Sequence, residues 1–378
     1  MNILIAPDSF KESLEAIEVC HAIKSGFSQV FPNADYTLLP MADGGEGTSA
    51  VLSYVLGGHW KKVAVHDPLM RPITAKYLLL PDATAVIEVA EACGLHLLTV
   101  AERNPSITSS YGVGELIKDA VNEGAKRIII GLGGSATNDA GFGMLMALGV
   151  AFYDQHGEPL AQGGSQLDKL QQIDGSNFKL SIVNVTFEVA CDVTNPLCGS
   201  LGASAIFGPQ KGASPEQVKQ LDKSLSLFAT VCQRHGYENH QDISGAGAAG
   251  GLGFALMTFC NSTLQSGFDT VADAVSLVQH IANADLVITG EGKLDAQTLM
   301  GKVAGGISQL AKASQTPVVA ICGSVDGLKP DQTTQFDVVV PSIQKVDSID
   351  NVLKEAYDNI ETTAFNIAAA MHLGSQLK

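Results

Sequence analysis

Residues 127–144 read RIIIGLGGSATNDAGFGM: an apolar, β-branched run from Arg127 to Gly131 that passes at once into further glycines, small hydroxyls and the pair Asn138-Asp139. A short isoleucine-rich run of this kind suits a strand buried on both faces. With a helical stretch expected at 139–149, the segment becomes a strand–turn–helix unit. The same alternation recurs along the chain. Strands are expected at 2–6, 36–40, 63–66, 76–80, 84–90, 127–131, 182–190, 285–289, 317–322 and 337–340, and helices at 113–123, 139–149, 215–235, 296–313 and 351–371. Residues 12–31 carry Leu14, Ile17, Cys20, Ile23, Phe27 and Val30 at helical spacing, with Ser9-x-x-Glu12 as a capping-box pattern and Pro32 as a stop. The alternation predicts an α/β protein with mostly parallel strands.

At 378 residues, 46% hydrophobic and 16% charged, the chain has the composition of a globular protein with room for two domains. No window approaches 18 uninterrupted apolar residues, so no membrane span is expected. The start, Met1-Asn-Ile-Leu-Ile-Ala6, lacks the basic flank of a signal peptide and reads as a first strand. Seven cysteines without C-x-x-C spacing read as reduced thiols, and the chain as cytoplasmic. A net charge of −16 argues against nucleic acid as a partner.

Acids fall just past the ends of apolar runs. Asp8 follows Ile3–Pro7, Asp43 follows Leu38–Ala42, Asp192 follows Val185–Cys191, and Glu291 follows Leu286–Gly290. Open parallel sheets bind ligands at those C-terminal ends. Clustered carboxylates suit a hard cation such as Mg²⁺ carrying phosphates. The alternative is that each acid caps a helix or forms a turn.

Phosphate-loop patterns give mixed signals. There is no Walker A sequence. Gly245-Ala-Gly-Ala-Ala-Gly250 matches G-x-G-x-x-G but follows no buried strand, so it predicts tight backbone packing rather than a dinucleotide site. The loop 131–139 has the right context. Backbone N–H groups at Gly133 and Gly134 are expected to hold a phosphate of the nucleotide, with Ser135, Thr137 and Asn138 as donors and Asp139 opening the helix. This reading is preferred to a glycine-rich turn with an Asn or Asp cap because three glycines exceed what a cap needs. A second junction, Thr289 to Thr298, adds Gly290, Glu291, Gly292, Asp295 and Lys293, with Lys302 farther along the next helix. Lysine supplies the positive charge that phosphoryl transfer needs.

These motifs resemble those of the glycerate kinases of the bacterial glyoxylate and glucarate utilisation type. The matching segments run in order through nearly the whole chain: Ala6–Leu14, Ala42–Thr48, Asp67–Pro72, Gly131–Asp139, Asp192–Leu197, Phe207–Ala213, Gly245–Gly251 and Thr289–Thr298. The resemblance implies a Rossmann-like domain with a mostly parallel sheet, discontinuous over 1–70 and 275–378, and a smaller α/β domain with a mixed sheet over 71–274, the active site lying in the cleft between them. It also implies ATP, D-glycerate and Mg²⁺, with phosphate going to the 2- or 3-hydroxyl. A homo-oligomer is an open expectation. Asp8, Lys11, Asp192 and Lys293 are the expected catalytic residues. Ser9, Phe10, Glu46 and Arg71 are expected at the substrate, where Arg71 and Lys11 compete to clamp the carboxylate. Asp43 and Asp192 are expected at the metal, and Asp8 as general base. Two alternatives stay open: a kinase of the galactokinase–homoserine kinase type, and a sensor that binds a sugar acid or nucleotide without turnover.

Overall fold

The strand β1 (Asn2–Ile5) is the centre of the first unit. Ile3, Leu4 and Ile5 are all buried, so both of its faces are covered and the alternation of a half-exposed strand is absent. It pairs in parallel with β2 (Asp35–Leu38) on one side and β11 (Leu286–Leu294) on the other. Outward from β11 lie β12 (Val318–Val325) and β13 (Val338–Pro341), again parallel. The order β13-β12-β11-β1-β2 is that of a doubly wound, flavodoxin-like sheet whose switch point falls between β1 and β11. Helices Ala16–Ser28 and Ala356–Gln376 pack together over one face, burying Val19, Cys20, Ile23 and Phe27 with Ile360, Ala364 and Ala368. The structure, a computed structural model, describes residues 1–178, 182, 184–300 and 302–377. Residue 183 of the expected strand 182–190 and residue 301 of the expected helix 296–313 lie outside them.

The chain divides into two compact units, 1–43 with 50–55 and 271–378, and 44–49 with 56–270. The second holds a six-stranded mixed sheet ordered β10-β9-β6-β5-β4-β3. Its strands are β3 (His59–His66), β4 (Pro72–Leu79), β5 (Thr84–Glu88), β6 (Arg127–Gly131), β9 (Thr186–Ala190) and β10 (Thr263–Gln265). The β3–β4 and β4–β5 pairs are antiparallel and the rest parallel. A separate hairpin pairs β7 (Ala151–Tyr153) with β8 (Gln172–Asp174). The inserted unit takes in β3 because that strand pairs with β4, so the first boundary falls well before residue 71; this unit, expected to be the smaller, holds the longer share of chain. The pattern Gly245–Gly250 does pack tightly. A Cβ at Gly250 would meet the Thr137 carbonyl oxygen at 2.0 Å, and the Ala140 N–H donates to the Gly250 carbonyl.

Of the boundaries that differ from expectation, three fall at the acidic and glycine-rich motifs. The helix expected over 12–31 runs Ala16–Ser28, capped by a box between Glu15 and Glu18 instead of Ser9 and Glu12. Glu12 has φ +64°, and Phe10 and Leu14 bridge across a tight turn, which no helix can include. The helix expected over 139–149 spans only Phe142–Ala147, after Gly141 in the left-handed region. Strand β11 continues through Gly290-Glu-Gly-Lys-Leu294, which the glycines had marked as loop. All seven cysteines are unpaired, and no helix of the described residues is long and apolar enough to cross a membrane.

Gly290 lies where β11 passes closest to its neighbour: a Cβ there would stand 1.9 Å from the Ile321 carbonyl oxygen. Gly290→Ala should therefore cost at least about 1–3 kcal/mol, the usual penalty of overpacking a rigid interior. Denaturant unfolding would check this, and a variant as stable as the parent would show that β12 yields freely.

Candidate active site

Beyond Ile5, the β1–β11 ladder goes on: Ala6 N–H donates to Ile288 O at 2.8 Å and Asp8 N–H to Gly290 O at 2.9 Å. On the other side Leu39 and Met41 N–H donate to Ile5 O and Pro7 O. These bonds carry Asp8 and Asp43 past the ends of β1 and β2 at the sheet's switch point, next to Glu291 within β11. There they line a cavity of about 410 Å³ with Ser9, Phe10, Lys11 and Asp295. Lys293 and Lys302 border it too.

Asp8 is the most perturbed of these acids. Burial, then the negative charges of Asp43 and Glu291, push its carboxyl up to about 7, against the Ser9 N–H bond at 2.7 Å and the Lys11 charge. Burial also raises Glu291, opposed by the Thr298 hydroxyl, which donates to it at 2.6 Å, and by Lys302. Ser9 caps no helix; its N–H and hydroxyl both turn to the Asp8 carboxylate. Phe10 is buried and Lys11 exposed in the tight turn 10–14, so Lys11 does not open a helix. Lys293 stands on β11 opposite Ser324, in an exposed ion pair with Asp326 at 2.6 Å. Lys302 is the N-cap of helix Val303–Ala313, earlier in that helix than the sequence suggested.

The remaining expected residues belong to the second unit. Asp192 is exposed after β9 and accepts the Gly267 N–H at 2.8 Å. Glu46 is exposed. The guanidinium of Arg71 is engaged, Nε with Asp67 at 2.5 Å, Nη1 with Glu102 at 2.7 Å and Nη2 with the Leu97 carbonyl, so its fork already holds two carboxylates. In the loop 131–139, Gly133 and Gly134 are exposed, whereas Ser135, Thr137, Asn138 and Asp139 face inward. Asp139 accepts from Ser110 N–H and hydroxyl and from the N–H groups of Gly141 and Gly143. Asn138 donates to the Ser204 hydroxyl. What this loop offers outward is its glycine backbone.

Two residues escaped the sequence reading. Lys211, 2% exposed, donates to the Ser135 hydroxyl at 2.9 Å and to Thr137 O at 2.7 Å, directly beneath the exposed glycines. Burial lowers its amine to about 8, with Cys93 and Asp139 acting against that shift. Its place in the quoted segment Phe207–Ala213 was the only signal. Glu88, at the end of β5, accepts the N–H groups of Gly47 and Ser49 and so fixes the glycine-rich stretch after Asp43. It was a fifth acid at a strand end and could have been found by the same rule as the other four.

Comparison with known proteins identifies the family. Residues 3–372 match the sequence profile of the Glycerate kinase family. The chain is 46% identical to a glycerate kinase of Haemophilus influenzae, over 98% of this chain and 99% of that one. It is 44% identical to a glycerate 2-kinase of Escherichia coli, over 99% of each. A crystal structure from Salmonella typhimurium LT2, assigned as glycerate kinase 2, superposes with a TM-score of 0.91 at 46% identity, covering 100% of this chain and 99% of that one.

The Asp8 shift has a consequence for stability. A carboxyl at about 7 in the fold and 3.8 when free binds its proton more tightly in the native state, so stability declines as pH rises through that interval. Asp8→Asn should unfold at a higher temperature than the parent at pH 8, and the gap should shrink as pH falls toward 4. Thermal melts at several pH values test this; a gap independent of pH would mean that Asp8 is not held uncharged.

Proposed function

Because this chain belongs to the glycerate kinase family, we propose that it moves the γ-phosphoryl group of ATP onto the 2-hydroxyl of D-glycerate, giving 2-phosphoglycerate and ADP. That it is a kinase acting on glycerate follows from the family, which removes both the galactokinase-type and the sensor alternatives. The nucleotide, the metal and the acceptor hydroxyl are the proposal. The name of the Escherichia coli relative, a glycerate 2-kinase, supports the 2-hydroxyl.

The observation that carries the mechanism is the single carboxyl held near neutrality among other acids at the switch point. A general base works best when its pKa lies near the working pH. Ionised Asp8 accepts the proton of the glycerate hydroxyl as that oxygen bonds to the γ-phosphorus and the bond to the ADP oxygen breaks. Lys11, exposed in the turn beside Asp8, is the cation placed to attract the glycerate carboxylate, a role for which Arg71 has no free fork. Lys302, at the head of its helix, faces Glu291 across the same cavity and adds positive charge near the phosphates.

The donor set fits Mg²⁺. Asp43 and Glu291 supply hard carboxylate oxygens, and Mg²⁺ needs only one or two of these when substrate phosphates and water complete its shell. Among the described residues no set of three or more metal-ligating side chains is assembled in advance. When bound, the ion would offset charge on the phosphates. It would also make Asp8 easier to ionise, since Asp43 and Glu291 are two of the causes that raise it.

Purified protein with ATP, Mg²⁺ and D-glycerate should give 2-phosphoglycerate by phosphorus NMR. The 3-isomer would move the acceptor, and no phosphoglycerate at all would sink the reading. Asp8→Asn should lower kcat by about 10²–10⁴, as loss of a general base does, and remove a rise in rate through about pH 7. Asp43→Asn should instead raise the Mg²⁺ concentration giving half-maximal rate. Full activity in both variants would make the acids structural.

A further inference from the structure

The cavity beside Asp8 changes character from one end to the other. Toward β1 and β11 it is lined by Asp8, Asp43, Glu291 and lysines; toward β13 by Ile343, Ile349, Val352 and Leu353. The two isoleucines are 44% and 76% exposed. Val346 beside them is fully exposed, and Ile343, Val346, Ile349 and Val352 also line an adjoining shallow hollow. Single apolar side chains in water need no explanation, but a contiguous group at the mouth of a cavity marks a binding surface. Glycerate does not account for it. That small acid carries oxygen on every carbon and has no apolar face to place there, and about 410 Å³ is room for a much larger ligand.

We propose that this apolar end seats the base of the nucleotide, stacked against Ile343, Ile349 and Val352, with the phosphates directed inward to the lysines and acids. The inference rests on the kinase reading above and adds where the nucleotide is recognised. A purine is flat and apolar on its faces and polar at its edge. Ser342 and Asn359, both nearly buried and both lining the cavity, offer hydrogen-bonding groups to that edge. The position also suits the fold, because a doubly wound sheet receives nucleotides outside the C-terminal ends of its strands. Base recognition then belongs to β12, β13 and the helix Ile349–Lys354, and not to the loop 131–139, whose polar side chains turn inward.

The test uses the whole protein and the double variant Ile343→Gln/Ile349→Gln, both at exposed positions that the fold does not need buried. Calorimetric titration with ADP and with inorganic tripolyphosphate separates the base from the phosphates, and KM for glycerate reports the rest of the site. ADP should bind about tenfold more weakly, the loss expected when part of a ring's apolar contact is removed. Tripolyphosphate affinity and the glycerate KM should stay at parental values. ADP binding as tight as the parent's would overturn the proposal. So would a parallel loss of ADP and tripolyphosphate, or a rise in glycerate KM alone. Parental protein that makes phosphoglycerate while the variant binds ADP normally would refute only the base site; parental protein that makes none would refute the kinase reading itself.

Discussion

The first unit depends on one pairing. β1 lies between β2, its near neighbour in sequence, and β11, which begins more than 280 residues later at Leu286. Ile3, Leu4 and Ile5 stand in register with Leu286, Val287 and Ile288, and the ladder continues to Asp8 and Gly290. Without it the sheet would lose its middle, since β2 touches the rest only through β1. Closing so long a loop costs entropy before any contact rewards it. The compensation is a strand buried on both faces, paired with a neighbour on each side, and two packed helices over one face. The same register is what places Asp8 beside Glu291, so the site inherits its geometry from a pairing that spans more than 280 residues of chain.

That geometry has a cost the protein retains. Four carboxylates, those of Asp8, Asp43, Glu291 and Asp295, line one cavity and repel each other, and partial burial removes the water that would screen them. A chain selected for stability alone would replace at least one. Here burial, reinforced by that repulsion, lifts Asp8 toward neutrality, where a carboxyl can accept a proton and later return it. The destabilisation and the proposed chemistry are one arrangement seen in two ways, as expected where function resides.

Much of this was legible in the sequence. The alternation of strands and helices, the parallel character of the apolar runs and the acids at strand ends all follow from local pattern, and Asp8, Asp43 and Glu291 do share a cavity. The failures have physical causes. Residues 12–15 have helical periodicity, but Glu12 takes the left-handed conformation to close a turn, and nothing in its side chain announces that. Gly290 and Gly292 looked like loop; both are strand residues of β11, and at Gly290 the neighbouring backbone leaves no room for a side chain. Arg71 looked like a free cation between prolines, and its partners Glu102 and Leu97 are too distant in sequence to be foreseen. Lys211 could not be found because a lysine's burial is a tertiary fact.

The loop 131–139 shows where such reading reaches its limit. Glycines at a strand–helix junction are needed both when a phosphate must approach the backbone and when another segment of chain must do so, because each requires the absence of a Cβ. Composition cannot separate the two. What separates them is the direction of the polar side chains around the glycines. Here Asp139 gathers four donors from its own unit, Lys211 reaches up to Ser135 and Thr137 from beneath, and Gly250 presses its backbone against Thr137. The two bonds from Lys211 tie the loop from its buried side, while Gly133 and Gly134 stand at the surface. A glycine backbone can still receive an anion through its N–H groups. Beside it Ser135 accepts from Lys211 and Asn138 donates to Ser204, and both side chains are buried, so the outward-facing group the loop offers an anion is its glycine backbone.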